Sequence, residues 1–369
     1  MGLVRTLLAL CVVATHLELV GLSLVDGSLA VQMFYVISGF LISYVLTEAG
    51  SYSSVGAFYL NRSLRLFPVY GVVAVASLIF LTATQSAEFL GVYEEVPPPA
   101  IAALAVSNVT LLGQDWIMFL GVDNQNLIWT ANFRASDVQL WHGLLVPQAW
   151  TLGVELSFYL VAPFILKRRI VLIGALVASV AARASLYAVG LGDADPWSYR
   201  FFPAELSLFL LGALAHQVAL PLARKLPGTV LAPAVVAGTA ALLVLIAGYT
   251  VFPGGWYKRY AALMGMAGLL PFAFLFQQRF RLDSRIGDLS YPIYIGHMLV
   301  IWSAPYALAP LGITDQVTRG VILVAASIAF AAVLNRAVAR PVEKLRANVR
   351  RGGLKRTSMA RMTVPPVIP

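Results

Sequence analysis

Apolar runs of the roughly 20 residues needed to cross a bilayer recur along the chain at 3–22, 30–48, 67–84, 150–166, 169–190, 202–219, 230–251, 259–277, 289–310 and 318–339. Polar breaks separate them, and the pattern predicts an all-α polytopic membrane protein of about ten transmembrane helices. A further run, 100–113, is shorter and follows the breaker Pro97-Pro98-Pro99.

The charges between the runs set the expected topology. With a cytoplasmic N-terminus, the loop carrying Arg62 and Arg65 lies inside, and the loop carrying Glu88, Glu94 and Glu95 lies outside. If 100–113 crossed, Lys167-Arg168-Arg169 would fall outside. A re-entrant or interfacial 100–113 returns that cluster to the inside together with Arg224-Lys225, Arg279, Arg281 and Arg285, leaving Lys258-Arg259 as the exception. Both termini are then cytoplasmic, with 1–340 as one transmembrane domain and 341–369 as a basic, partly disordered tail. Arg5 before an apolar run, with Val12-Val13-Ala14 as a passable cleavage site, imitates a signal peptide; the run is read as a retained first span.

Composition agrees: 59% of the 369 residues are hydrophobic and 12% charged, with mean hydropathy +0.81, outside the range of a soluble globular protein. The net charge of +9 invites a nucleic-acid reading until it is located. Between Arg336 and Arg361 stand nine Arg or Lys and one acid, Glu343, so the tail carries most of the excess. A basic stretch beside a last span follows from the positive-inside rule and suits anionic lipid, so the bilayer is the expected partner and nucleic acid is not. The single cysteine, Cys11, excludes a disulfide framework, and no His, Asp or Glu spacing reads as a metal site.

Within this apolar background a few polar residues stand out. Arg5 and His16 are separated by ten residues; on an α-helix that spacing puts both on one face, about 16 Å apart along the axis. Arg5 is placed to snorkel toward the cytoplasm, whereas His16 falls in the outer half of the hydrocarbon. There an imidazole is either a proton acceptor or an interhelical hydrogen-bonder. Ser38-Gly39, on the second span, offers close helix packing or close approach of a thin ligand. Arg62 and Arg65, spaced i, i+3, form a two-guanidinium fork suited to phosphate, or a positive-inside anchor. Glu155 lies about 7 Å into the span that opens at Trp150, at a depth where it could orient His16 or pair with another helix. Ser290, Tyr294 and His297 share one face of the ninth span, as a site or as interhelical hydrogen-bonders. In the external segment, Trp116, Trp129, Phe133 and Trp141 among carboxylates and amides could cradle a sugar or belong to an interfacial belt.

Taken together, Arg5-x10-His16, Ser38-Gly39-Phe40, Arg62-x-x-Arg65 before Pro68, Trp150-Thr151-Leu152-x-x-Glu155-x-x-Phe158-Tyr159 and Ser290-Tyr291-x-x-Tyr294-x-x-His297 resemble the membrane-bound acyltransferase family 3. These are bacterial enzymes that O-acylate sugars, polysaccharides and some macrolides. The resemblance implies about ten transmembrane helices in the bacterial cytoplasmic membrane, an acyl-CoA donor entering from the cytoplasm, and a carbohydrate or glycosylated acceptor. It implies His16 and Glu155 as catalytic residues and Arg5, Arg62 and Arg65 as contacts to CoA. Ser38, Trp150, Tyr159, Tyr294 and His297 become candidates for the substrate pocket. Thr151 departs from the family's frequent Ser but keeps a hydroxyl. Many relatives carry a C-terminal esterase-like domain where this chain has a short basic tail, so transfer is expected from the membrane domain alone or with a partner. The expected reaction moves an acyl group, acetyl foremost, to a hydroxyl, with His16 as general base. The alternative is a proton-coupled secondary transporter for a sugar precursor or lipid, since intramembrane His, Arg and Glu also build such pathways.

Overall fold

The computed structural model describes residues 1–18, 24–49, 52 and 54–349. The end of the expected first span and the tail beyond Val349 lie outside the described residues. All ten apolar runs contain helices: α1 (Gly2–His16), α2 (Gly27–Thr47) and α3 (Val55–Ala83), then α6 (Trp150–Ile165), α7 (Arg169–Ala188), α8 (Phe202–Leu214), α10 (Gly228–Ala247), α11 (Trp256–Arg279), α13 (Ser290–Leu308) and α14 (Gln316–Leu334). Shorter helices intervene: α4 (Ala87–Glu95), α5 (Pro98–Thr110), α9 (Leu220–Arg224) and α12 (Arg281–Gly287).

Among the described residues seven helices are long and apolar enough to cross a membrane, which makes this a multi-pass membrane protein. The three remaining runs are α1 and α6, with 15 and 16 residues, and α13, which is long enough but too polar. These three carry Arg5, His16, Thr151, Glu155, Tyr159, Ser290, Tyr294 and His297. Polarity sets only α13 apart; α1 and α6 fall short by length.

The doubtful run 100–113 is the 13-residue α5, about 20 Å long against a hydrocarbon core of about 30 Å. Pro98 opens it at the position where a missing N–H costs nothing, and Leu111 closes it at φ 60°. Helix α3 starts earlier than its apolar run because Ser54 accepts a hydrogen bond from the Ala57 N–H. Arg62 and Arg65 are therefore both helical.

The bundle is tightest where α2 crosses α8. A Cβ on Gly39 would sit 1.8 Å from the Phe209 carbonyl oxygen, and one on Gly212 would sit 1.9 Å from that of Val36. Backbone meets backbone here through small residues, as in membrane helix pairs generally. Asp283 of α12 accepts from the Gly2 and Leu3 N–H groups at 2.7 and 2.8 Å, capping the start of α1. Helix α8 runs through a π-helical turn (Ala215–Ala219) into α9, and α14 runs through another (Asn335–Ala339) and on as helix to Val349.

The segment between α5 and α6 contains an antiparallel hairpin, β1 (Leu120–Asp123) and β2 (Asn126–Trp129), which pairs Leu120 with Trp129 and Asp123 with Asn126. Trp116 and Phe119 pack edge-on against Phe201 and Trp197 of the connection before α8, and Arg134 pairs with Asp195 at 3.2 Å. Trp129 stands edge-on to Trp116 with most of its surface exposed.

Candidate active site

Helices α1, α2, α3, α6 and α13 line an open-sided cavity whose empty space, counting its mouth, is about 750 Å³. Arg5, Arg62, Arg65, Ser38, Glu155, Tyr159 and Tyr294 all line it, so seven of the ten singled-out residues meet in one space. Its lower wall is cationic. Arg62 is buried, donates to the Tyr52 hydroxyl and the Asn61 amide oxygen at 3.1 Å each, and has its guanidinium 5.9 Å from the Phe58 and Tyr159 rings. Its Nε faces no partner among the described residues. The side chains of Arg5 and Arg65 have no hydrogen bond or ion pair among the described residues.

The upper wall is anionic and hydroxylic. Glu155 Oε1 accepts from Ser38 Oγ at 2.6 Å and from the Tyr159 hydroxyl one turn along α6. Thr151 Oγ1 donates to the Tyr294 hydroxyl at 2.8 Å, and that hydroxyl donates to the Gln148 carbonyl at 3.0 Å. The hydroxyl kept by the Thr151 departure thus ties α6 to α13.

One turn beyond Tyr294 lies His297, fully buried. Its Nδ1 is 2.7 Å from the Tyr294 carbonyl oxygen, and its Nε2 is 3.3 Å from His16 Nδ1. His16 Nδ1 is also 2.9 Å from the Val12 carbonyl oxygen. A carbonyl only accepts, so these contacts assign the protons. His297 carries its proton on Nδ1 and presents a bare Nε2. His16 carries its proton on Nδ1, shared between Val12 and His297, and leaves its own Nε2 as a lone pair. His16 ends α1 and is exposed, so that lone pair is accessible.

Glu155 does not orient His16: among the described residues its hydrogen bonds go to Ser38 and Tyr159. The carboxylate belongs to the cavity that Arg5 lines, at the opposite end of α1 from the imidazole. Trp150 also stands outside the cavity, with the Arg200 guanidinium 4.1 Å from its ring and Tyr199 edge-on. Tyr35 and Tyr291 line the cavity and were not singled out by sequence. Tyr35 is an apolar-looking position whose buried hydroxyl finds no partner among the described residues. Arg200, whose Nε donates to Asp195 at 2.6 Å, could have been flagged by its place just before a span.

The acyltransferase domain model matches residues 1–336. Nodulation protein 10 of Rhizobium leguminosarum bv. viciae is 29% identical over 340 residues, covering 86% of this chain and 83% of that protein. An uncharacterized protein of Aquifex aeolicus is 24% identical over 211 residues, 56% of this chain and 91% of its own. No solved structure matches. With the family's domain covering nearly the whole chain, and the arginines, glutamate and tyrosines of the motifs meeting in one intramembrane cavity, the chain belongs to acyltransferase family 3 and is a membrane acyltransferase rather than a transporter.

Proposed function

We propose that the protein moves an acyl group, acetyl foremost, from acyl-CoA to a hydroxyl of a sugar or sugar-containing molecule in the bacterial cytoplasmic membrane, with His16 as general base. The observation that carries this reading is the shared cavity, in which two unpaired guanidinium groups and the half-satisfied Arg62 face a hydroxyl-lined wall. Phosphates suit the first and an uncharged thioester arm the second.

In this mechanism Arg5, Arg62 and Arg65 hold the donor's phosphates, and the arm runs upward along α1 past Tyr294. His16 Nε2 takes the proton of the acceptor hydroxyl as its oxygen attacks the thioester carbonyl carbon. The C–S bond then breaks, the thiolate leaves, and the proton returns to sulfur. His297 supports the step by accepting from His16 Nδ1, which keeps the lone pair on Nε2 and steadies the imidazolium that forms. Glu155 serves the donor end, offsetting the arginines and fixing Ser38 and Tyr159. A general base supplies about 10²–10⁴-fold; positioning of the two substrates and stabilisation of the oxyanion supply the rest.

The test is transfer of radiolabelled acetyl from acetyl-CoA to glycans and secondary metabolites of membranes that contain the protein. Incorporation is expected with the wild type and reduced about 10²–10⁴-fold with His16→Ala. Equal incorporation by the two would remove His16 from the chemistry.

A further inference from the structure

A second cavity, of about 690 Å³, opens beside the first. The two share Arg5, Arg65 and Tyr291. The new walls come from α3, the end of α12, α13, the π-helical turn and the helix that follows it, through Pro68, Asp288, Asn335, Arg340, Glu343 and Arg346. The guanidinium groups of Arg5 and Arg65 stand where the two cavities join.

The charges of the second cavity are unevenly committed. Glu343 is paired with Arg346, which also donates to Asn61 Oδ1 at 3.2 Å. The guanidinium groups of Arg5, Arg65 and Arg340 have no hydrogen bond or ion pair among the described residues. Against these three stands one carboxylate outside an ion pair, that of Asp288. The cavity therefore presents a net positive, incompletely neutralised surface. The π-helical turn Asn335–Ala339 lies immediately before Arg340. Its extra residue turns everything after it by about 100° about the helix axis, and this aims Arg340 into the cavity instead of along the face set by α14.

From one cavity to the other the lining runs from hydroxyls, apolar side chains and Glu155 with Arg62 below them, through the guanidinium groups of Arg5 and Arg65, to a space with one more, that of Arg340. A coenzyme A thioester has the same order: an uncharged pantetheine arm, a pyrophosphate, and a 3′-phosphorylated adenosine. We infer that the second cavity seats the 3′-phosphoadenosine end of the donor, with Arg5 and Arg65 on the pyrophosphate and Arg340 on the 3′-phosphate. This rests on the acyl-CoA reading above and extends the donor site into a part of the chain that by sequence is only a basic tail.

The experiment compares equilibrium binding of coenzyme A and 3′-dephospho-coenzyme A to the full chain in lipid nanodiscs. A charge-assisted contact to the 3′-phosphate should make the wild type bind coenzyme A about tenfold or more tighter than the dephospho form. Arg340→Gln should bring the two affinities together by weakening only coenzyme A, and Arg340→Lys should restore part of the difference. Unchanged affinity for the dephospho form doubles as the control for folding. A wild type that does not discriminate the two ligands overturns the inference, whatever the variants do. So does an Arg340→Gln protein that keeps the full discrimination, and in both cases the donor reading survives. If the wild type binds neither ligand, the donor reading falls and takes this inference with it.

Discussion

His16 and His297, 281 positions apart in the chain, meet with Nδ1 of the first 3.3 Å from Nε2 of the second and ring centroids 5.0 Å apart. Each imidazole is also held to a backbone carbonyl in the preceding turn of its own helix, so neither tautomer is free to exchange without breaking a hydrogen bond. Replacing His297 by Phe keeps an aromatic ring in the buried slot but removes the acceptor for His16 Nδ1. Loss of one such bond at a buried site costs about 1–3 kcal/mol, so kcat is expected to fall about tenfold or more with KM for acyl-CoA nearly unchanged. Steady-state acetyl transfer measures this. A kcat equal to wild type would reduce the pair to packing.

Arg62 and Arg65 stand one turn apart on α3 yet play separable parts. Arg62 is buried and already spends Nη2 on Tyr52 and Asn61, whereas Arg65 spends nothing among the described residues. Arg65→Ala should raise KM for acyl-CoA about tenfold, with the Tm in detergent unchanged. Arg62→Ala should lower the Tm as well, because it empties a buried site and removes two hydrogen bonds, leaving the Tyr52 hydroxyl and Asn61 Oδ1 with only each other and Arg346, at a cost of about 1–3 kcal/mol. Thermal unfolding beside acetyl-transfer kinetics separates the two. Equal effects on Tm would contradict this division.

Asp115, just before the hairpin, is 1% exposed, and its Oδ1 has no partner among the described residues. The carboxylate lies where a Cβ on Gly153 would be, 2.4 Å away, and burial pushes its pKa up to about 7. The unfolded chain would release this proton near pH 4. Between those two values the folded state holds more protons than the unfolded one, so stability falls as pH rises from about 4 to about 7. Asp115→Asn keeps the shape and removes the titration. The Tm of the variant relative to wild type should therefore climb between pH 5 and pH 8, and a difference constant with pH would refute the assignment.

Much of this was legible in the sequence because the bilayer leaves few options. Apolar runs announce helices, and a polar residue inside one is conspicuous; in this way Arg5, Arg62, Arg65, Ser38, Glu155, Tyr159 and Tyr294 could be collected before any of them was seen in the one cavity they line. Partnership was not legible. Periodicity gives the face of a residue and a rough depth, but not which helix stands opposite, so by sequence Glu155 could orient His16 or pair with another helix, and its partners are Ser38 of α2 and Tyr159 of its own helix. Arg340 was invisible for another reason: one more cation in a basic stretch leaves the charge count reading the same whether it faces lipid or ligand. The hairpin had a signal that went unused. Asn124 and Gln125, at φ 48° and 62°, form a turn with both central residues left-handed, which Asn tolerates better than most residues.

Gly39 offers the most direct test of the bundle that holds the cavity together. It neighbours Ser38, which bonds Glu155 from α2, and it lets α2 approach α8 until a Cβ would stand 1.8 Å from a backbone oxygen. No side-chain rotation relieves such a contact, because the obstacle is the Phe209 carbonyl and the reciprocal glycine, Gly212, is equally confined against Val36. Gly39→Ala must push the helices apart, at a cost of about 1–3 kcal/mol or more. It must also carry Ser38 away from Glu155. Acetyl transfer and Tm should therefore fall together, in contrast to Arg65→Ala, where transfer falls alone. Ala at Gly71, which has open space around it, is the matched control and should change neither. Wild-type stability in the Gly39 variant would mean that the α2–α8 contact does not set the geometry of the site.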